Sequence, residues 1–346
     1  MLRRREIAGL LAATSLVTAV VLSSQPAWGG SDAPTRHAAP EQASTRIAFF
    51  QIAQINAFAQ ASQNGVKAAA KKMNASVDVF DANFDASKQI AQLQDAMTTG
   101  KYKAFVIFSP DGNAVVPSVK QAIAKGIKVT AVFTPLGPNF LDMTNQVPGV
   151  SSVVGESERQ VALAEAKMTI DLCRGKNPCN VVYMPGILAF PPSKGRHDVY
   201  MKTVGAVKSI KIVAVQEAGF AADPAVKAMQ NILQAQSDID VVATDGDQMT
   251  FGAEQAIKSA GRQGIALTGN GGGRLGLTAI RAGRWYGTVY SKPYTMGYKA
   301  AEFAIKATRG QKVPKQLNLF LGQRATDTGP IVTKRNVRKV KAQWTG

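Results

Sequence analysis

Several residue groups in this chain could do chemistry, and each points to a different kind. Asp245, Asp247 and Glu254 are close in sequence and could form an acid–base set. Gly269-Asn270-Gly271-Gly272-Gly273-Arg274-Leu275-Gly276 could cradle a phosphate if it runs from a strand into a helix. Lys194 and Arg196 near a predicted helix start could face a cleft or the surface. Against catalysis, no Gly-Lys-Ser/Thr follows the glycine run, and neither G-x-S-x-G nor S-x-x-K occurs. The glycine loop is therefore read as opening onto a cleft with Asn270 facing a ligand. Asp245 and Asp247 are read as an acidic turn that accepts hydrogen bonds from hydroxyls or meets a cation. The only histidines are His37 and His197, so neither a metal site nor a cofactor is expected. Cys173 and Cys179 are expected to form a disulfide around the loop RGKNP, because the chain reads as exported.

The export reading comes from the first residues. Arg3, Arg4 and Arg5 precede an apolar stretch, Ile7 to Leu22, and then the small residues around Ala27 and Gly29. That order is a secretory signal peptide, placed at 1–29, with an uncleaved anchor as the alternative. Residues 30–45, rich in Ser, Ala, Pro and Thr, are read as a linker. The formal net charge is +18, and the leader accounts for little of it. Lys334, Arg335, Arg338, Lys339 and Lys341 form the densest basic run, but aromatics are not interleaved, so no nucleic-acid partner is expected.

The elements that must position these residues are clearest at Ala104 to Thr134. Ala104 to Phe108 is a short apolar run without helical periodicity, which suits a strand buried on both faces. Asp111 or Asn113 is expected to cap the next helix, with Pro117 in its first turn and Gly126 as its stop. Ile127 to Phe133 completes a βαβ unit, hence a parallel sheet whose ligands collect beyond the carboxyl ends of the strands. Those ends are Ser109-Pro110-Asp111-Gly112 and Phe133-Thr134-Pro135. The alternation continues along the chain, with helices expected at Ser193 to Ser209, at Pro224 to Gln236 capped by Asp223, and at Gln248 to Ala260. The expected fold is α/β: two doubly wound parallel-sheet, Rossmann-like lobes.

Four pieces in this order resemble the type I periplasmic sugar-binding proteins: IAFFQIAQINAFAQASQNGVKAAAKK, DASKQIAQLQDAMTTGKYKAFVIFSPDGNAVVPSVKQAIAKGIKV, VVATDGDQMTFGAEQAIKSAG and IVTKRNV. The likeness spans about residues 46 to 340. It implies two lobes joined by a three-segment hinge, with crossings near Gly155, Ser291 and Leu321. The N-terminal lobe would comprise 46–154 plus 292–320, the C-terminal lobe 155–291 plus 321–346. It also implies a small-molecule ligand, a membrane ABC permease as partner, an extracytoplasmic location and a monomeric, non-enzymatic protein.

By this resemblance Asn56 and Phe58 match the family's first ligand loop, although Ala59 replaces a second aromatic. Ser109 matches a ligand-bonding position, and Asp111 shares its loop. Phe133-Thr134 stands where the family has an Asp-Arg pair. Asp245 and Asp247 flank Gly246, which replaces an Asn. Asn270 replaces an Asp, Ser291 a hinge Gln, and an Arg of the family falls near Lys194 or Arg196. Each unpaired buried hydroxyl costs on the order of 1–3 kcal/mol, so losing the Asp-Arg pair disfavours a simple pentose or hexose. Phe58 and Phe133 suggest instead a ligand with an apolar or flat face. Tyr290 and Tyr294 could pack the hinge or touch the ligand. A sensory protein of the same fold, or less favourably a secreted α/β enzyme, is the alternative.

Overall fold

Short apolar runs separated by amphipathic segments have one economical solution, a parallel sheet with helices on both faces. The structure, a computed structural model, describes residues 45–54, 57–320 and 330–346. The leader, the linker up to residue 44, Asn56 and the crossing at Leu321 lie outside them.

The chain begins β1 (Thr45–Gln51), α1 (Ala57–Lys72), β2 (Ala75–Asp81), α2 (Ala86–Thr99), β3 (Ala104–Ile107), α3 (Val116–Ala124), β4 (Lys128–Phe133), β5 (Val150–Gly155) and α4 (Glu158–Leu172). It continues β6 (Cys179–Met184), α5 (Pro191–Gly205), β7 (Ile210–Val215), α6 (Ala222–Ala235), β8 (Val241–Thr244), α7 (Asp247–Ser259), β9 (Ala266–Gly271), α8 (Arg274–Arg281) and β10 (Gly287–Tyr290). It ends α9 (Pro293–Thr308), β11 (Gln316–Asn318), β12 (Ile331–Thr333) and a short 3-10 turn, Val337–Lys339.

The strands form two sheets, ordered β11-β5-β4-β3-β1-β2 and β12-β10-β9-β8-β6-β7. All pairings are parallel except β10 with β12. The last five strands of each order repeat one winding. Each sheet therefore reverses direction beside its first strand, and there the carboxyl ends leave a crevice.

The expected pair of wound sheets is thus present, and β3 shows why it could be read. All four of its residues are fully buried, Ala104 and Val106 in one apolar cluster, Phe105 and Ile107 in another on the opposite face. Asp85 begins α2 by accepting from the backbone N–H of Ser87 and Lys88, and Gly100 ends it in left-handed conformation at φ 64°. Cys173 and Cys179 are bonded, with their Cα atoms 5.5 Å apart.

Helix starts differ from expectation where no side chain caps them. Asp223 does not cap α6, whose N-cap is Ala221. Helix α5 starts at Pro191, its imide in the first turn where no N–H is needed. Asp111 caps a turn one step before α3, accepting from the N–H of Asn113 and Ala114, while the helix N-cap is Val115.

Helix α9 lies on α1 at glycine-mediated distance. A Cβ on Gly297 would sit 2.0 Å from the Ser62 carbonyl oxygen, and one on Gly65 would sit 2.1 Å from that of Tyr294. Gly297→Ala forces the two backbones apart, and overpacking of this kind costs about 1–3 kcal/mol despite the better helix propensity of Ala. A urea unfolding midpoint below wild type checks it; an unchanged midpoint contradicts it.

Candidate functional site

A cavity of about 70 Å³ opens at the carboxyl ends of both sheets. One water occupies roughly 10–15 Å³ on this measure, so the space suits several waters or one small metabolite.

The first sheet contributes carbon. Ile52 follows β1, Phe58 and Ala59 begin α1, Phe84 precedes α2, Phe108 follows β3 and Phe133 ends β4, and all line the cavity. The Phe58 and Phe133 rings meet edge to face at 5.4 Å, and Phe108 lies 4.8 Å from Phe133. From the other side come Phe190, Phe220 and Trp344, the last edge-on to Phe58 at 5.4 Å.

Three of these rings stand on strained backbone. Phe84, Phe133 and Phe220 have φ of 60°, 73° and 53°. The left-handed region is unfavourable for a bulky residue, costing on the order of 1–3 kcal/mol, and such strain gathers where function requires it.

The second sheet and the crossings contribute charged and polar groups: Glu156, Glu158, Arg196, Asp245, Gln248, Asn270 and Ser291. Arg196, only 3% exposed, donates its Nε to Glu158 Oε2 at 2.8 Å and one Nη to the Asp245 carbonyl at 3.3 Å. Its Nη1 lies 3.9 Å from Glu165 Oε1. Asp245 accepts from the Tyr183 hydroxyl at 2.6 Å and the Gly186 N–H at 3.3 Å. Asn270 donates to Glu165 Oε1 at 2.8 Å. The Ser291 hydroxyl donates to Glu156 Oε2. Glu156 Oε1 has no hydrogen-bond partner among the described residues.

Three buried carboxyls, Glu158, Glu165 and Asp245, thus share one buried guanidinium, and burial pushes these three and Glu156 upward. Glu156 rises to about 7, burial outweighing the Ser291 hydroxyl, with the Glu158 charge adding to the rise. Glu158 is raised by burial against the pull of Arg196. Glu165 is raised by burial and by Asp245, and Asp245 by burial against Arg196. For Arg196 burial disfavours the charge, but Glu158, Asp245 and Glu165 more than offset it and raise its value.

A carboxyl raised in the fold binds its proton more tightly there than in the unfolded chain. Its stabilisation is complete below about pH 4.5 and is lost as pH rises through the folded value. For Glu156 the loss amounts to about 3 kcal/mol between pH 4.5 and 8. The ligand-free melting temperature is therefore expected to fall from pH 5 to pH 8, and Glu156→Gln to flatten that fall. Parallel profiles for the two proteins contradict it.

Of the expected ligand residues, Phe58, Phe133, Arg196, Asp245, Asn270 and Ser291 line the cavity. Five others do not. Ser109 is turned into its own loop, its hydroxyl donating to the Asp111 carbonyl at 2.9 Å. Asp111 holds the adjoining turn. Thr134 is buried away from the cavity because the left-handed Phe133 redirects the chain. Lys194 is exposed and paired with Asp198 at 2.5 Å. Asp247 lies behind the glycine loop, accepting from Gly273 N at 2.6 Å and the Thr288 hydroxyl at 2.7 Å. Tyr290 packs, its hydroxyl donating to the Lys341 carbonyl, and Tyr294 is exposed.

The phosphate reading of the glycine loop fails on geometry. The free N–H groups opening α8, on Arg274 and Leu275, donate to the carbonyls of Trp344 and Thr345. Trp344 also donates its indole N–H to the Gly271 carbonyl at 2.9 Å.

Glu156, Glu158, Phe84, Phe108, Phe190, Phe220, Gln248 and Trp344 are wall residues the sequence reading missed. A signal existed for the first two, since two acids spaced by one residue sit just past the end of β5. For Trp344, distant in sequence from the loop it touches, there was none.

Comparison with known proteins agrees with this geometry. The family model described as a periplasmic binding protein domain matches residues 47–312. The ribose import binding protein of Bacillus subtilis is 27% identical over 265 residues, covering 76% of this chain and 81% of the relative. The xylitol-binding protein of Mycolicibacterium smegmatis is 27% identical, covering 68% of this chain and 65% of the relative. A crystal structure of an ABC transporter solute-binding protein from Mycobacterium smegmatis with bound glycerol superposes with a TM-score of 0.74. That pair is 26% identical, covering 88% of this chain and 99% of the other.

Proposed function

The chain belongs to the periplasmic binding protein family, and from that premise we propose that it captures one small metabolite between its two sheets and hands it, unchanged, to an ABC importer. The observation that carries this is the division of the cavity wall. Aromatic rings come mainly from the first sheet, and hydrogen-bonding groups come from the second sheet and the crossings. A guest touching both walls gains its full contact only when the lobes are closed, so binding shifts the population to the closed form.

Two crossings lie beside Glu156 and Ser291, which are hydrogen-bonded to each other, and the third falls near Leu321. In this reading the first lobe holds 46–154 and 292–320, the second 155–291 and 321–346. The protein acts as a monomer outside the cytoplasmic membrane, delivered there by its leader. The named ligands of the relatives, ribose, xylitol and glycerol, support a guest among small polar metabolites. The aromatic wall asks in addition for a flat or apolar face.

A thermal-shift panel of sugars, polyols, amines, nucleosides and aromatic metabolites tests the proposal. One compound is expected to raise the melting temperature, saturating at one per chain, with about 2.7 kcal/mol gained at a hundredfold excess over Kd. Its stereoisomers should give less. A panel without any shift contradicts the proposal.

A further inference from the structure

The acidic wall holds more negative charge than the protein itself neutralises. Arg196 is committed to Glu158, Asp245 is held by Tyr183 and Gly186, and Glu165 by Asn270. Glu156 forms no close side-chain ion pair among the described residues, although the backbone and charge of the adjacent Lys292 oppose part of the rise that burial imposes on it. It is 3% exposed, takes the Ser291 hydroxyl on Oε2, and has Oε1 without a hydrogen-bond partner among the described residues. The neighbouring Lys292 carries its ammonium over the Tyr290 ring, 5.9 Å from the ring centre, and its charge is the smallest of the influences on Glu156. Glu156 is itself part of the cavity wall, which Phe58, Phe84 and Phe133 also line.

A buried carboxylate with a vacant acceptor needs a donor, and a cationic donor repays its desolvation best. Aromatic faces around such a carboxylate attract the same kind of guest, since a ring face is electronegative. A metal ion fits poorly: among the described residues no three His, Cys, Asp or Glu side chains are grouped to hold one.

We propose that the ligand is a small organic cation, a protonated amine bearing hydroxyls or a ring, whose ammonium docks on Glu156 and whose carbon face lies on the phenylalanine wall. This rests on the capture function proposed above and names the class of guest. Neutral sugars and polyols offer Glu156 no charge partner and bind weakly. Burial that raises Glu156 toward neutrality in the empty protein is reversed when the ammonium arrives, so binding releases the Glu156 proton.

The test is a thermal-shift screen of a metabolite library that includes matched pairs: 2-amino-2-deoxyglucose with glucose, serinol with glycerol, and 2-phenylethylamine with 2-phenylethanol. Hits are followed by calorimetry on the wild type and on Glu156→Gln. The expected result is that hits are amines, that each neutral partner binds at least about 30-fold more weakly, and that Glu156→Gln erases the difference. If Glu156→Gln does not fold, Ser291→Ala serves, with a smaller loss of amine preference of about tenfold. Hits confined to neutral compounds, or an amine affinity unchanged in the folded variant, overturn the cationic guest and leave capture standing. No hit in the library, with no small molecule released on unfolding natively purified protein, overturns both.

Discussion

Arg196→Met is expected to lower stability by about 3–5 kcal/mol at pH 8, the usual result of removing one partner from a buried ion pair. The guanidinium has 4% side-chain exposure and bonds a glutamate with 2%. Methionine fills much of its volume, so the loss is electrostatic. Glu158, Glu165 and Asp245 are left close together with no cation among them. The pH dependence separates charge from packing. All three carboxyls already have raised values, from burial first, and Asp245 adds to the rise of Glu158 and Glu165. Without Arg196 those values rise further, so protonation relieves the variant more than the wild type as pH falls. The deficit in urea unfolding should therefore shrink from pH 8 to pH 5. An equal deficit at both, or one under about 1 kcal/mol at pH 8, contradicts the account. Lys194→Met, at the exposed pair with Asp198, should stay within about 0.5 kcal/mol of wild type.

Asp247→Ala is the second large effect, and it separates a residue that shapes the site from one that touches the guest. The carboxylate fills the space above two glycines: a Cβ on Gly276 would meet Asp247 Oδ2 at 2.5 Å, and one on Gly269 would meet its Oδ1 at 2.6 Å. Alanine leaves the Gly273 N–H buried and unpaired, at roughly 1–3 kcal/mol, and takes from the Thr288 hydroxyl its shortest bond, leaving the longer one to the Val289 carbonyl at 3.2 Å. Relief of a buried charge offsets part of that, since burial holds Asp247 up at about 6. The net expectation is about 1–3 kcal/mol lost in chemical unfolding at pH 7. Ligand affinity falls with it, because the loop carrying Asn270 and bonding Trp344 is no longer held. A variant of wild-type stability that has lost only binding would instead make Asp247 a ligand contact.

These two residues show what could be read in advance. Both were picked out as cleft candidates from an acidic turn and a helix start, but their tasks depend on depth, which spacing does not encode. Wound parallel strands were legible because β3 and its neighbours are apolar on both faces, leaving no periodicity to confuse with a helix. Starts of α5 and α6 were misplaced because neither has a side-chain cap. In the site, Phe58, Phe133, Asp245 and Asn270 follow strand ends, and topology alone places them. Phe84 and Phe220 were missed because phenylalanine in left-handed backbone runs against its steric preference. Ser109 and Thr134 sit at the expected strand ends but face inward, which turns on local dihedrals. Trp344 reaches the cavity only through the antiparallel return of the tail along β10, a long-range contact without a local signature.

Native mass spectrometry of the protein purified without denaturation addresses the central claim most directly. The account predicts a single small-molecule adduct, one per chain, that leaves chemically unchanged when the protein is unfolded and is absent from Arg196→Met. An adduct-free wild type that no small metabolite can load, or a guest recovered as a different compound from the one added, would contradict it.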